Sequence, residues 1–286
     1  MTKEAAFNKK IKALIKEADR LEDKKVVAAI RLLEQSRREV AATLAITDWQ
    51  AHNLPQLKTA IERALQEFAR QFSMEIRDSQ GQFWNLGVDM VDLPLRTVGF
   101  TMVIPAIDIQ ALTAMQNYSS HLVKSLGQDA AAKVYNEMAL GMIGQKTPFE
   151  VMEAVGKNLK DKGTFHSIAA RAETITRVET GRALSMASQA RLEAAAKVVP
   201  GLQKRWVYGS AHRKMPRFTH MATDGQIRDV DKPFNVGGAT LMCPRDPAGD
   251  PGQTINCRCY SEPYKKEWDK KEKEEGLDEE LQKQIS

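Results

Sequence analysis

Cysteine is scarce in this sequence, and the first 242 residues contain none. The three cysteines, Cys243, Cys257 and Cys259, fall within seventeen residues of one another. So few thiols exclude a disulfide-rich secreted scaffold. Crowded thiols in a reducing compartment are either free or metal ligands.

Long apolar runs are also missing. The longest apolar stretch without a charge, residues 97–107, is interrupted by Pro105 and is shorter than the about 20 residues that a bilayer-spanning helix needs. The first twenty residues carry charges throughout and lack the apolar core of a secretory signal. We therefore expect a protein made in the cytoplasm, with no membrane partner.

A strong charge of one sign is absent as well. The net charge of +5 over 286 residues is a weak bias towards anionic partners, far from that of a dedicated nucleic-acid binder. The familiar catalytic patterns are lacking: there is no Walker loop, no Gly-x-Ser-x-Gly, no His-Glu-x-x-His and no deaminase signature. We expect no catalytic residue and no cofactor.

Helical periodicity dominates the first two thirds of the chain. Residues 4–69 are rich in helix formers, with apolar side chains three and four apart. Glycines and prolines between residues 78 and 105 predict an irregular segment, and helical texture resumes at 106. Thr147-Pro-Phe-Glu150 predicts a helix start with a capping box, and another helix is expected over 165–199, ended by Pro200-Gly201.

An acid and a base interrupt the apolar stripe of the helix over 165–199. Glu179 and Arg182 are three residues apart, so they form an intrahelical ion pair or else point at the following domain. Gly181 indicates a close approach of another segment, because a glycine inside a helix is costly. Arg177 lies on the opposite side of the helix.

Residues 201–262 have a different texture. They hold seven of the seventeen glycines and five of the eleven prolines. Short strands are expected at 204–208 and 226–230, with turns at Gly209-Ser210 and Asp224-Gly225. The fold class is therefore α+β: predominantly helical amino-terminal and central regions, followed by a small, loop-rich α+β carboxy-terminal module with short strands.

A basic stretch in this module is interleaved with aromatic residues. Phosphate contacts with DNA and a solvated basic face both explain such a pattern. The candidates for DNA contact are Lys204, Arg205, Arg213, Lys214 and Arg217.

The cysteines and a nearby histidine are candidate metal ligands: His220, Cys243, Cys257 and Cys259. Zinc ribbons and fingers separate paired cysteines by two to four residues, whereas only Arg258 separates this pair. We expect buried free thiols and no metal, with bound zinc as the alternative.

The ordered set of short motifs in this region resembles a known family. Arg177-Val-Glu-Thr180, Lys204-Arg-Trp206, Arg217-Phe-Thr-His220, Thr223-Asp-Gly225, Pro233-Phe234, Pro244-Arg-Asp-Pro247 and Ile255-Asn-Cys-Arg-Cys259 follow the order seen in the Mu F-like minor head proteins of tailed bacteriophages. The resemblance spans about residues 128–262. With the amphipathic helices before it and the charged residues after it, we expect three parts: a helical region over 1–127 that contacts the portal or another head protein, a head morphogenesis module over 128–262, and a charged tail over 263–286.

The resemblance implies a structural role in the virion without catalysis. Family members associate with the portal inside the head and influence head assembly, DNA packaging or ejection, so the implied partners are the portal, other head or scaffold proteins and packaged DNA without sequence preference. The structural motif positions are Arg177, Glu179, Trp206, His220, Asp224, Gly225, Asp246, Pro247, Asn256, Cys257, Arg258 and Cys259. Asp246 and Asn256 are expected to tie turns, and Arg258 to pair with an acid such as Glu179.

A second function class stays open at this point. His220, Asp224 and the cysteines are residue types that a metal-dependent hydrolase or nuclease uses. Such an enzyme would act on DNA, whereas a head protein would need no chemistry.

Overall fold

A computed structural model describes residues 3–46, 53–101, 103–160, 162–209 and 217–268. Its amino-terminal and central regions are helical, as predicted. The helices are α1 (Lys3–Ile46), α2 (Leu54–Thr97), α3 (Gln110–Met142), α4 (Pro148–Val155) and α5 (Thr164–Ala196). None of the helices in the described ranges is both long and apolar enough to span a membrane.

Short strands and helical turns follow α5, so the predicted α+β class is confirmed. The elements are β1 (Gln203–Val207), α6 (Phe218–Ala222), β2 (Ile227–Asp229), β3 (Phe234–Val236), β4 (Ala239–Leu241), α7 (Pro251–Thr254), β5 (Tyr260–Tyr264) and a 3-10 turn at Lys266–Trp268. Strand β1 pairs antiparallel with both β2 and β5, and β3 pairs with β4 across Gly237-Gly238. Both glycines have positive φ, as a two-residue hairpin requires.

The chain divides into two compact units. We call residues 20–82 and 109–180 the helical unit, and residues 1–19, 83–108 and 181–286 the mixed unit. The division into a region over 1–127 and a module that begins at 128 stays a prediction.

The helical unit has one apolar core, built from α1 to α5. Its largest fully buried side chains include Leu33, Leu65, Phe72 and Phe165. Gly127 lets α3 approach α2 closely, because a Cβ there would lie 2.9 Å from the Ala69 Cβ. The apolar residues that are three and four apart in the sequence therefore form the buried faces of the helices within this unit.

The mixed unit has two smaller apolar clusters. One packs Val91 and Leu95 of α2 on Leu192 and Ala195 of α5. The other lies under the strands and holds Trp206, Phe234, Val236, Leu241, Cys257 and Cys259. The motif tryptophan and the motif cysteines therefore share one core.

The irregular segment predicted from residue 78 is wrong up to residue 97, where α2 ends. The helix continues through Gly81, Gly87 and Pro94. Gly87 is used for packing, since a Cβ there would lie 2.3 Å from the Leu184 carbonyl oxygen. Tertiary packing thus overrides the low helix propensity of these residues.

Other local signals are confirmed. Thr147 caps α4: its hydroxyl accepts from the Glu150 amide, and the Glu150 carboxylate accepts from the Thr147 amide. The helix expected over 165–199 is α5. Strand β5, however, extends to Tyr264 and is buried throughout, so a solvated tail cannot begin at 263. Residues 269–286 of the expected tail lie outside the described residues.

Candidate functional site

A histidine and two cysteines meet inside the mixed unit. The Nδ1 atom of His220 lies 3.5 Å from the Cys257 sulfur and 3.4 Å from the Cys259 sulfur. All three side chains are buried, with 2% exposure or less. Cys243 is also buried, but it is not a member of this group.

The neighbouring elements hold the histidine in place. Helix α6 carries His220, and the Nε2 atom of the ring lies 2.9 Å from Gln253 Oε1 in α7. The ring also meets Trp206 edge-on, with centroids 5.8 Å apart. Because an amide oxygen only accepts, Nε2 carries the ring proton and the Nδ1 lone pair faces the sulfurs.

The cysteine loop has an unusual backbone. Asn256 has φ +56° and Arg245 has φ +62°, in the left-handed region where asparagine is among the few tolerated residues. The Arg245 Nε donates to the Cys257 carbonyl oxygen at 2.5 Å. Gly209 passes directly over the loop, since a Cβ there would lie 1.8 Å from the Arg258 carbonyl oxygen.

The two kinds of buried thiol differ in acidity. The hydrogen bond from Cys259 lowers the pKa of Cys257 well below its ordinary value against the effect of burial, and the charge of Arg245 adds to the lowering. Burial raises the pKa of the Cys243 thiol, and Asp246 adds to that effect. Cys257 therefore has thiolate character, whereas Cys243 is an inert thiol.

This arrangement coincides with a family match. Residues 150–262 match the model of the family described as Phage Mu protein F like protein. Over these residues the chain is similar to phage Mu F proteins. The resemblance drawn from the motifs is thus confirmed for this segment.

Two curated proteins are similar to the chain. One is the uncharacterized protein YqbB of Bacillus subtilis (strain 168), 33% identical over 107 residues, which are 37% of this chain and 33% of that protein. The other is the NAD(+)--arginine ADP-ribosyltransferase EFV of Enterococcus faecalis (strain ATCC 700802 / V583), 28% identical over 151 residues, which are 53% of this chain and 29% of that protein. The chain thus spans about a third of the length of either relative. No solved structure matches it significantly.

The motif residues on α5 face into the helical unit. The Arg177 guanidinium contacts Glu22 at 2.5 Å and Asp23 at 3.1 Å, both on α1. Glu179 is 2% exposed and accepts from the Ser119 hydroxyl at 2.7 Å. Both positions thus join α5 to neighbouring helices.

That Ser119 hydroxyl also accepts from Gln80 Nε2 at 2.8 Å, which extends the polar chain to α2. A buried acid needs such partners. The pairing of Glu179 with Arg182 or Arg258 stays a prediction.

Two aspartates of the module tie turns. The Asp224 carboxylate accepts from the Tyr208 amide at 2.8 Å, and Gly225, with φ +76°, donates to the Trp206 carbonyl oxygen. Asp246 accepts from the Met242 and Ala248 amides at 2.7 and 2.9 Å, and Pro247 follows it at the surface. These side chains are committed to the backbone of the module.

The structure corrects the set of candidates for DNA contact. Lys204 is fully buried, so its ammonium group cannot reach a phosphate. Arg205 forms a salt bridge with Glu262, and Arg217 donates to the carbonyl oxygens of Gln253 and Ile255. Arg213 and Lys214 lie outside the described residues.

Lys204 is instead part of the core under the strands. Its ammonium group donates to Gln189 Oε1 at 3.0 Å and to the Met242 carbonyl oxygen at 2.7 Å, and it lies 5.0 Å from the Phe234 ring centre. Burial lowers the pKa of Lys204 to about 8. The alternation of side chains along β1 could have indicated this burial, because residues 204 and 206 lie on the same face of the strand.

We expect Lys204 to make stability depend on pH. The unfolded lysine keeps its proton up to about pH 10.4, whereas the folded one loses it near pH 8, so unfolding takes up a proton in between. The wild type should therefore gain about 2 kcal/mol relative to Lys204→Met as the pH rises from 7.5 to 9.5. Urea unfolding at both pH values measures this gain.

The exposed Lys232 provides the control. Lys232→Met should show the pH dependence of the wild type. A constant difference between the wild type and Lys204→Met would contradict the depressed pKa.

Two residues of the site were not singled out in the sequence. Gln253 orients the histidine, and Arg245 holds the cysteine loop. A local signal existed for α7, because Asp250 caps it and Pro251 occupies its first position. Nothing local indicated that Gln253 would meet His220.

Proposed function

We propose that this protein is a minor head protein of a tailed bacteriophage that associates with the portal and acts in head assembly, DNA packaging or ejection. The match of residues 150–262 to the phage Mu F family carries this proposal. The burial of the motif residues Trp206, His220, Cys257 and Cys259 supports a structural role without catalysis. In this proposal, residues 1–127 contact the portal, and the module over 128–262 stabilises the fold.

A groove in the helical unit offers a surface for the portal. It lies between α2 and α3, and its volume is about 970 Å³. Ala69, Gly127 and Ala131 contribute to its apolar lining, and Met74 there is 59% exposed. Such a groove suits an amphipathic helix of a partner.

The charges of the groove narrow the kind of helix that fits. Its lining has one acidic residue, Glu62, and four basic ones: Lys58, Arg70, Arg77 and Lys124. Electrostatic complementarity therefore favours an acidic helix. We assign this groove to an acidic amphipathic segment of the portal.

Met74→Asp should weaken portal binding about tenfold or more, because it places an unpaired charge in an apolar contact, and 1.4 kcal/mol is a factor of ten. The measurement is the affinity of the full-length protein for the purified portal of the same phage. Val27→Asp is a matched control, since Val27 on α1 of the same unit is 58% exposed and does not line the groove. Equal binding by both variants would remove the groove from the interface.

Arg213 and Lys214 remain our candidates for contact with packaged DNA. Such contacts would be made to phosphates and would be independent of sequence. Arg217 is a poor probe of them, because its loss would release the Gln253 and Ile255 carbonyl oxygens and disturb the fold.

No observation favours the hydrolase. The histidine and the cysteines are buried away from any substrate, and the Asp224 carboxylate holds a turn. The transferase activity in the name of the Enterococcus relative belongs to a protein of which the match covers 29%. We therefore infer no reaction for this chain.

A further inference from the structure

The histidine and the two motif cysteines converge with the spacing of metal ligands. The Nδ1 and the two sulfurs all lie within 4.8 Å of one another. Tetrahedral zinc, with bonds of about 2.3 Å to sulfur and 2.0–2.1 Å to nitrogen, places such ligands about 3.5 Å apart. The distances from Nδ1 to the sulfurs are 3.5 and 3.4 Å. We propose that His220, Cys257 and Cys259 bind one zinc ion that holds the loops of the Mu F-like module together.

Hydrogen bonding alone explains this geometry less well than a bound cation does. A neutral imidazole nitrogen has one lone pair and accepts one good hydrogen bond, yet two sulfurs approach it. A shared cation satisfies the nitrogen and both sulfurs at once. Thiolate and imidazole together are also the donor set that zinc prefers.

The surroundings resemble those of a metal ligand. A ligating histidine usually donates its second ring N–H to a nearby acceptor, which fixes the tautomer. Gln253 Oε1 provides that acceptor at 2.9 Å from Nε2. The Cys259 amide in turn lies 3.5 Å from the Cys257 sulfur and donates to it.

Burial indicates a structural ion and not a catalytic one. The exposed fractions of His220, Cys257 and Cys259 are 0%, 2% and 0%, so no substrate reaches the site. The protein supplies three corners of the tetrahedron, and no fourth histidine, cysteine or carboxylate atom joins the group in the described part of the chain. The third ligand, His220, comes from a separate helix, α6.

The test is metal analysis of the full-length protein, purified without a histidine tag or chelator. We expect about one zinc per chain. After stripping under reducing conditions, Co²⁺ should restore about one equivalent and produce thiolate-to-metal charge-transfer absorption. Chelation should lower the melting temperature, because structural zinc contributes to folding.

Variants locate the ligands. Cys257→Ser and Cys259→Ser should lose the cobalt charge-transfer absorption, whereas Cys243→Ser should retain it, although Cys243 is equally buried. If the cysteine variants fail to fold, the cobalt spectrum of the stripped wild-type protein alone decides whether the metal site exists. A folded wild type that binds neither metal would overturn the site, as would equal loss of absorption in Cys243→Ser.

Discussion

Gly87→Ala should destabilise the protein by about 3 kcal/mol or more, a cost at the upper end of overpacking effects. The added Cβ would lie 2.3 Å from the Leu184 carbonyl oxygen and 2.8 Å from the Ala187 Cβ, so α2 and α5 would have to separate. Separation would also strain the bond from the Ser188 hydroxyl to the Gly87 carbonyl oxygen. Urea unfolding measures the loss.

Gly81 is a matched control on the same helix. Nothing lies within 4 Å of a Cβ built there, so Gly81→Ala should instead stabilise the protein by about 0.5–1 kcal/mol through helix propensity. The same substitution six residues apart should thus have opposite signs. A stabilising effect at both positions would show that the close helix contact does not exist in solution.

Trp206→Ala should cost about 3–5 kcal/mol, the usual range for deleting a buried aromatic side chain. Trp206 is fully buried and packs edge-on against both His220 and Phe234. Its loss should free the histidine, so Cys257 and Cys259 should become reactive towards thiol reagents. Thermal unfolding and thiol labelling measure the two effects.

Two variants separate packing from hydrogen bonding at this position. The indole N–H of Trp206 has no hydrogen-bond partner among the described residues, so Trp206→Phe should lose volume only and fall between the wild type and alanine. Phe218→Ala, at an aromatic residue that is 81% exposed, should change stability by less than about 0.5 kcal/mol. Equal effects at Trp206 and Phe218 would contradict the buried cluster.

Helix and strand signals were predictable where residues close in sequence decide the structure. The capping box at Thr147 depends on side chains within a few positions of the backbone groups that they bind. The ordered motifs likewise predicted the similarity of residues 150–262 to the phage Mu F family. The Gly237-Gly238 hairpin carried an equally local signal that the sequence analysis did not use.

The amino-acid sequence by itself determined the α+β class, most of the helices and the similarity of residues 150–262 to the phage Mu F family, because periodicity, capping and motif order are properties of neighbouring residues. Only the tertiary structure decided that α2 continues through its glycines, that Lys204 is buried, and that His220 meets cysteines 37 and 39 residues further on. The physical reason is common to all three. Each depends on contact with a segment that is distant in the sequence. The spacing of residues along the chain does not show which distant segments the loops bring together.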